Sequence, residues 1–328
     1  MKPFWRNGLF VILSAALLGG VLPALAEDAA AAHYKQGLAL KAQGKTDDAI
    51  AALEKAVAAN GKHGPAYASL GHLYKQKKEF EKAVTAYEAA SVLLPKDAAI
   101  WGNLGMAYFR AKRVTDAERA LQQAVTLNPK DAEARANLGS VLRQKGDAAA
   151  AVTHLEQACA LAPKEHVYFN NLGVAYRLAK QPEKAITAFT KAIELAPADG
   201  NYHFNLAVVY RRLEDVDKAI PAYEKAVELA PELFEAWYDL GFMYKQNHDN
   251  DKAVAAFQRY LQAVGDKDPD SKKRVGDELK ALGGSAPAAT EGSKKNAAAA
   301  SGGKRNAATK APSATSSSTS APRKNGAK

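Results

Sequence analysis

The sequence predicts an all-α solenoid: helix-turn-helix units stacked in a line, closed by one further helix and followed by a polar tail. Three observations predict it. From residue 30 to residue 267 the chain repeats itself with a period of 34 residues. Small residues recur in phase with that period, as Gly37, Gly71, Gly105, Gly139, Gly173, Ala207 and Gly241, each followed by Ala49, Ala83, Ala117, Ala151, Ala185, Ala219 or Ala253. Prolines close the period at Pro95, Pro129, Pro163, Pro197 and Pro231. Heavy use of Ala and Lys with few β-branched residues agrees with helix.

Taken in chain order, residues 1–26 read as an export signal. Lys2 and Arg6 give the basic start, Leu9 to Leu22 the apolar stretch, and Ala24-Leu25-Ala26 the small-residue cleavage site. The apolar run of about 14 residues is short of the roughly 20 needed to span a bilayer. Cleavage would leave Glu27 first and place the protein outside the cytoplasm, in a periplasm or secreted.

The repeated body, residues 27–267, divides into seven units: 30–63, 64–97, 98–131, 132–165, 166–199, 200–233 and 234–267. In each, a small residue lets two helices approach where a larger side chain would overpack by about 1–3 kcal/mol. Large residues stand four before the glycine (Tyr67, Trp101, Phe169, Trp237) and three after it (Tyr74, Tyr108, Tyr176, Tyr210, Tyr244), on one helical face. Asp147, Asp215 and Asp249 suit N-caps of second helices, and Pro182 a first helical position. Residues 268–282 read as a closing helix, with Val275, Leu279 and Leu282 on one face and Gly283-Gly284 as its stop. Residues 283–328 hold Ala, Ser, Gly, Lys, Thr and Pro without an aromatic, a composition that predicts disorder.

The order of landmarks Trp101, Leu104, Gly105, Tyr108, Ala117, Leu121 and Pro129 resembles the tetratricopeptide-repeat pattern of W-x2-L-G-x2-Y followed by Ala, an aromatic and Pro. The end units depart from it: the first has Gln36, Leu40 and Gly61 at pattern positions, and the last has Tyr260 and Gly265. End units face solvent on one side, where the pattern is relaxed. The resemblance implies a right-handed superhelix whose first helices line a concave face, and a non-catalytic role in binding proteins or peptides without a cofactor.

Two rows of residues fall on that implied face. Two before the glycine stand Asn103, Asn137, Asn171 and Asn205, whose amides offer donor and acceptor to the backbone of an extended peptide, or bond within the array. Four after it stand Lys75, Arg143, Arg177, Arg211 and Lys245, extended by Arg110 and Arg212. These cations either favour an acidic ligand or a terminal carboxylate, or simply suit helix C-termini. The Lys/Asn pair by which some relatives seize chaperone tails has no match, because its positions hold residues such as Met106, Val174, Phe204, Val208, Tyr238 and Phe242.

Other chemistry is thinly represented. Cys159 is the single cysteine, which excludes an internal disulfide, a thiol-rich zinc site or haem attachment, and it sits between alanines as a packing residue. The histidines show no HExxH-type ligand pair, and neither a phosphate loop nor a nucleophile elbow occurs. Of a formal net charge of +10, the tail supplies most, through Lys294, Lys295, Lys304, Arg305, Lys310, Arg323, Lys324 and Lys328 against Glu291. Such an arm suits an anionic envelope surface, as an alternative or an addition to a groove that binds a partner; lacking aromatics, it is not expected to read nucleic-acid sequence.

Overall fold

The computed structural model describes residues 27–265 and 267–285. The expected export signal and the cations of the tail lie outside the described residues. The chain divides after Ala196 into two compact units.

Among the described residues, the first unit is a run of ten helices. They are α1 (27–42), α2 (Thr46–Ala59), α3 (Gly64–Gln76), α4 (Phe80–Leu93), α5 (Ala98–Arg110), α6 (Val114–Leu127), α7 (Ala132–Lys145), α8 (Ala148–Leu161), α9 (His166–Leu178) and α10 (Pro182–Leu195). The second holds α11 (Gly200–Arg212), α12 (Val216–Leu229), α13 (Phe234–Gln246), α14 (Asn250–Val264) and α15 (Pro269–Ala281). No strand occurs among the described residues. From α3 to α14, each odd-numbered helix packs most closely on the even one after it, and within a unit that one packs on the next odd helix. This is solenoid packing: neighbours touch and distant helices do not.

Local chemistry explains where the helices begin and end. Asp147, Asp215 and Asp249 cap α8, α12 and α14 by accepting the amides of Ala150, Lys218 and Lys252. Asp97, Asp131 and Asp199 do the same for α5, α7 and α11. Each such cap contributes about 1 kcal/mol by satisfying amides that have no partner in the first turn. The turn inside each pair passes through one left-handed residue seven after the landmark glycine. Gly44 and Gly146 fill it without strain, whereas Lys78, Lys112, Lys180, Glu214 and His248 adopt positive φ with a side chain.

The landmark glycines are points of closest approach. A Cβ at Gly139 would lie 2.6 Å from Leu155 Cγ, and one at Gly71 would lie 2.8 Å from the Tyr87 ring. Both facing side chains are essentially buried, so there is no room to give. The small alanines Ala83, Ala117, Ala151, Ala185, Ala219 and Ala253 are likewise fully buried. The landmark prolines act through their carbonyls as well. The side chain four before the glycine donates back to that carbonyl, from Trp101 Nε1 to Pro95 O at 2.9 Å, Arg135 Nε to Pro129 O at 2.8 Å, and Trp237 Nε1 to Pro231 O at 3.0 Å.

A second fastener joins successive pairs. Tyr74, Tyr108, Tyr176 and Tyr244 donate from their hydroxyls to Glu54, Glu88, Glu156 and Glu224 at 2.5–2.6 Å, always 20 residues back and on the preceding even helix. A cation stacks on each of the same rings: Lys82, Arg113, Lys184 and Lys252. Hydrogen bonds to a charged acceptor contribute about 1.5–3 kcal/mol each when shielded. α15 ends the second unit by burying Val275 and Leu279, and its Glu278 is ion-paired with Lys245.

Candidate functional site

The odd-numbered helices carry both rows singled out in the sequence. In the first unit, α1, α3 and α5 border a cleft of about 360 Å³ whose walls include Tyr34, Lys41, Ser69, His72 and Asn103. Asn103 belongs to the first row, and Ser69, two before Gly71, and Lys41, four after Gly37, hold the corresponding positions in earlier repeats. Burial, with Lys41 and then Lys75 nearby, pushes the His72 imidazole down to about 4, so it is neutral at physiological pH.

The rows are not independent. Lys75 Nζ donates to Asn103 Oδ1 at 2.7 Å, which ties the cation of one pair to the asparagine of the next. Asn103 in turn donates to Ala99 O at 2.9 Å, fixing its carbonyl toward Lys75. Burial lowers the Lys75 pKa, opposed by Glu133 and reinforced by Arg110.

The second unit has the same rung with different chemistry. Arg211 Nη2 lies 3.6 Å from Asp239 Oδ2, and Asp239 stands where the four preceding repeats have Asn103, Asn137, Asn171 and Asn205. The Tyr223 hydroxyl donates to Asp239 Oδ2 at 2.9 Å and accepts from Arg211 Nε at 3.1 Å. Burial pushes the Asp239 carboxyl up, while the Arg211 charge and the Tyr223 hydroxyl hold it down.

The other row members are placed as follows. Asn137 is half-buried on α7, Asn171 is buried on α9, and Asn205 is half-buried on α11. Arg110 and Arg177 are half-buried, and Arg212 is exposed. Arg143 buries its Nε without a hydrogen-bond partner, and desolvation lowers its pKa. The aromatics of the last repeats are packed on one another: Tyr238 meets Phe242 and Tyr260, and Phe242 meets Phe257 and the Arg274 guanidinium.

Elsewhere, α9 and α10 border a cleft of about 710 Å³, lined by Phe169, Tyr176, Lys184 and Glu194 among others. Cys159 is buried, and burial followed by the Glu156 charge pushes its thiol up to about 12, far from a reactive thiolate. Among the described residues no group of three or more His, Cys, Asp and Glu is gathered to hold a metal ion. Nor is any described helix long and apolar enough to cross a membrane.

Helix pairs of this length, repeated in register with buried Gly and Ala at each crossing, define a tetratricopeptide-repeat solenoid. The chain belongs to the tetratricopeptide-repeat family: the family model described as Cilia and flagella-associated protein 70 C-terminal domain matches residues 14–232, and that described as Tetratricopeptide repeat matches residues 204–271. No curated protein matches the chain in sequence. Among solved structures, the C-terminal part of a TPR repeat-containing protein from Cytophaga hutchinsonii is similar with a TM-score of 0.60 and 23% identity, covering 75% of this chain and 99% of that one. The APC/C hetero-tetramer Cut9-Hcn1 is similar with a TM-score of 0.54 and 24% identity, covering 68% and 45%. YrrB, described as a TPR protein with an unusual peptide-binding site, is similar with a TM-score of 0.50 and 21% identity, covering 56% and 95%. At these identities the likeness is one of fold.

Proposed function

We propose that the protein is an exported, non-catalytic scaffold that holds an extended segment of a partner protein against its odd-numbered helices. The observation that carries this reading is the cleft bordered by α1, α3 and α5, where polar side chains from three successive helix pairs converge around one space. An extended backbone presents a donor and an acceptor at every residue, which amides and hydroxyls spaced along a solenoid can meet repeatedly. Each such bond contributes only about 0.5–1.5 kcal/mol, so recognition needs several together. Similarity to YrrB and to Cut9-Hcn1, a peptide-binding protein and a member of a hetero-tetramer by their descriptions, supports the reading by analogy of fold.

Export rests on the leader, and the compartment that fits best is a periplasm. The cationic segment beyond residue 285 then acts as a locator, drawn to anionic lipid or polymer of the envelope. Pull-downs from envelope extract, read by mass spectrometry, test the arrangement. The full chain, the chain cut after Leu282, and the chain carrying Ser69→Ala and Asn103→Ala, both on the cleft wall, are compared. The expected result is the same few proteins for the first two and loss of them for the third, with helicity unchanged. Capture that disappears with the tail, or returns polyanions alone, would overturn the scaffold reading in favour of a surface-binding protein.

A further inference from the structure

The rung in the second unit shows how this fold holds a carboxylate. Asp239 lies between the Arg211 guanidinium and the Tyr223 hydroxyl, bonded to the hydroxyl at 2.9 Å. Four repeats earlier the same three positions are Lys75, Tyr87 and Asn103. A hydroxyl occurs at the middle position only in these two repeats; the others have Leu53, Leu121, Leu155, Phe189 and Phe257. Tyr87 is 2% exposed, and its hydroxyl is buried with no hydrogen-bond partner, although the side chain helps wall the cleft. An unmet buried hydroxyl costs about as much as a lost hydrogen bond.

We propose that this end of the cleft is a carboxylate-recognition site, in which Lys75, Asn103 and the Tyr87 hydroxyl receive from a ligand the anionic oxygens that Asp239 supplies internally in the second unit. The proposal rests on the scaffold reading and names the chemistry of its ligand: an acidic side chain or the terminal carboxylate of the bound segment. Charge agrees. Lys41 and Lys75 both act on His72 in the cleft, and Arg110 acts on Lys75, where Glu133 is the opposing charge. Among the described residues the one acid on the cleft wall, Asp97, is already engaged, accepting the amides of Ala99 and Ile100 as the cap of α5. Asn103 preserves the geometry of the rung without its charge, which leaves Lys75 with a neutral acceptor and Tyr87 with none. A ligand carboxylate supplies one oxygen to each.

The test uses the full chain and three probes: N-acetylated penta-alanine with a free carboxylate, the same peptide as its C-terminal amide, and the amide with a central glutamate. Affinity is read by NMR titration. The free acid, the glutamate peptide or both are expected to bind about tenfold more tightly than the plain amide, the strength of one charge-assisted hydrogen bond. Selectivity for the free acid alone identifies a chain terminus, and equal selectivity for both identifies any carboxylate. Y87F is expected to lower that affinity about tenfold without lowering the melting temperature, since its hydroxyl has no partner to lose. N103D is expected to abolish the selectivity and raise the melting temperature. Equal or absent binding of all three probes, or a Y87F chain that binds as the parent does, would overturn the proposal. Partner capture that survives N103D would overturn it while leaving the scaffold reading intact.

Discussion

The two tyrosine rungs are built from the same backbone positions and differ in where their negative charge comes from. In the second unit the circuit is closed: arginine, hydroxyl and carboxylate satisfy one another, and Asp239 keeps only 15% of its side chain exposed. In the first unit the arginine is a lysine, the carboxylate is an amide, and the hydroxyl has no partner. A repeat solenoid can therefore spend one rung on stability and keep a homologous one for recognition. The fold alone does not decide which; the side chain two before the landmark residue does.

The comparison breaks most visibly at Asp239. D239A leaves the buried Tyr223 hydroxyl without its acceptor and the half-exposed Arg211 guanidinium without its counter-ion, and is expected to lower stability by about 2 kcal/mol in urea unfolding. Loss of less than about 0.5 kcal/mol would show that the closed circuit is ornamental. A smaller, sharper contrast compares the two hydroxyls. Y223F removes two hydrogen bonds and is expected to cost about 1.5 kcal/mol, whereas Y87F removes none and is expected to cost about nothing. Equal costs would mean that Tyr87 is bonded in solution and that the rungs are alike.

The smallest effect is a pH slope. His72 lines the open cleft, whereas its counterpart four repeats on is Val208. The folded-state pKa of His72 is about 4 against an ordinary value of 6.5, so the unfolded chain binds more protons between those values. Stability from this residue is present above pH 6.5 and is lost as pH falls toward 4. Replacing His72 with Gln is expected to flatten that part of the stability profile; an unchanged slope would place the titration elsewhere.

Much of the architecture was legible because it depends on single positions with strong local rules. A glycine facing Leu155 at van der Waals limit, an aspartate accepting the Ala150 amide, and a proline opening α10 each leave a mark in the sequence at a fixed spacing. The site was less legible, because its contacts depend on stacking. Asn103 and Lys75 read as two separate rows, and only the superposition of successive pairs brings them to 2.7 Å. The tyrosine–glutamate fasteners were missed for the same reason. Glu54, Glu88, Glu156 and Glu224 do recur in register, and that recurrence is the signal that could have found them. Taken one at a time, however, each is an ordinary solvent-facing glutamate on a helix. The turn residues Lys78, Lys112, Lys180, Glu214 and His248 hide a left-handed backbone behind side chains that do not advertise it.

The measurement that tests the central contrast most directly is the reciprocal exchange, with Asn103→Asp and Asp239→Asn in one chain, titrated with the free-acid peptide and followed by NMR of the tyrosine rings. The perturbed ring is expected to change from Tyr87 to Tyr223, with helicity retained. A peptide that still perturbs Tyr87, or that perturbs neither ring in the parent chain, would contradict it.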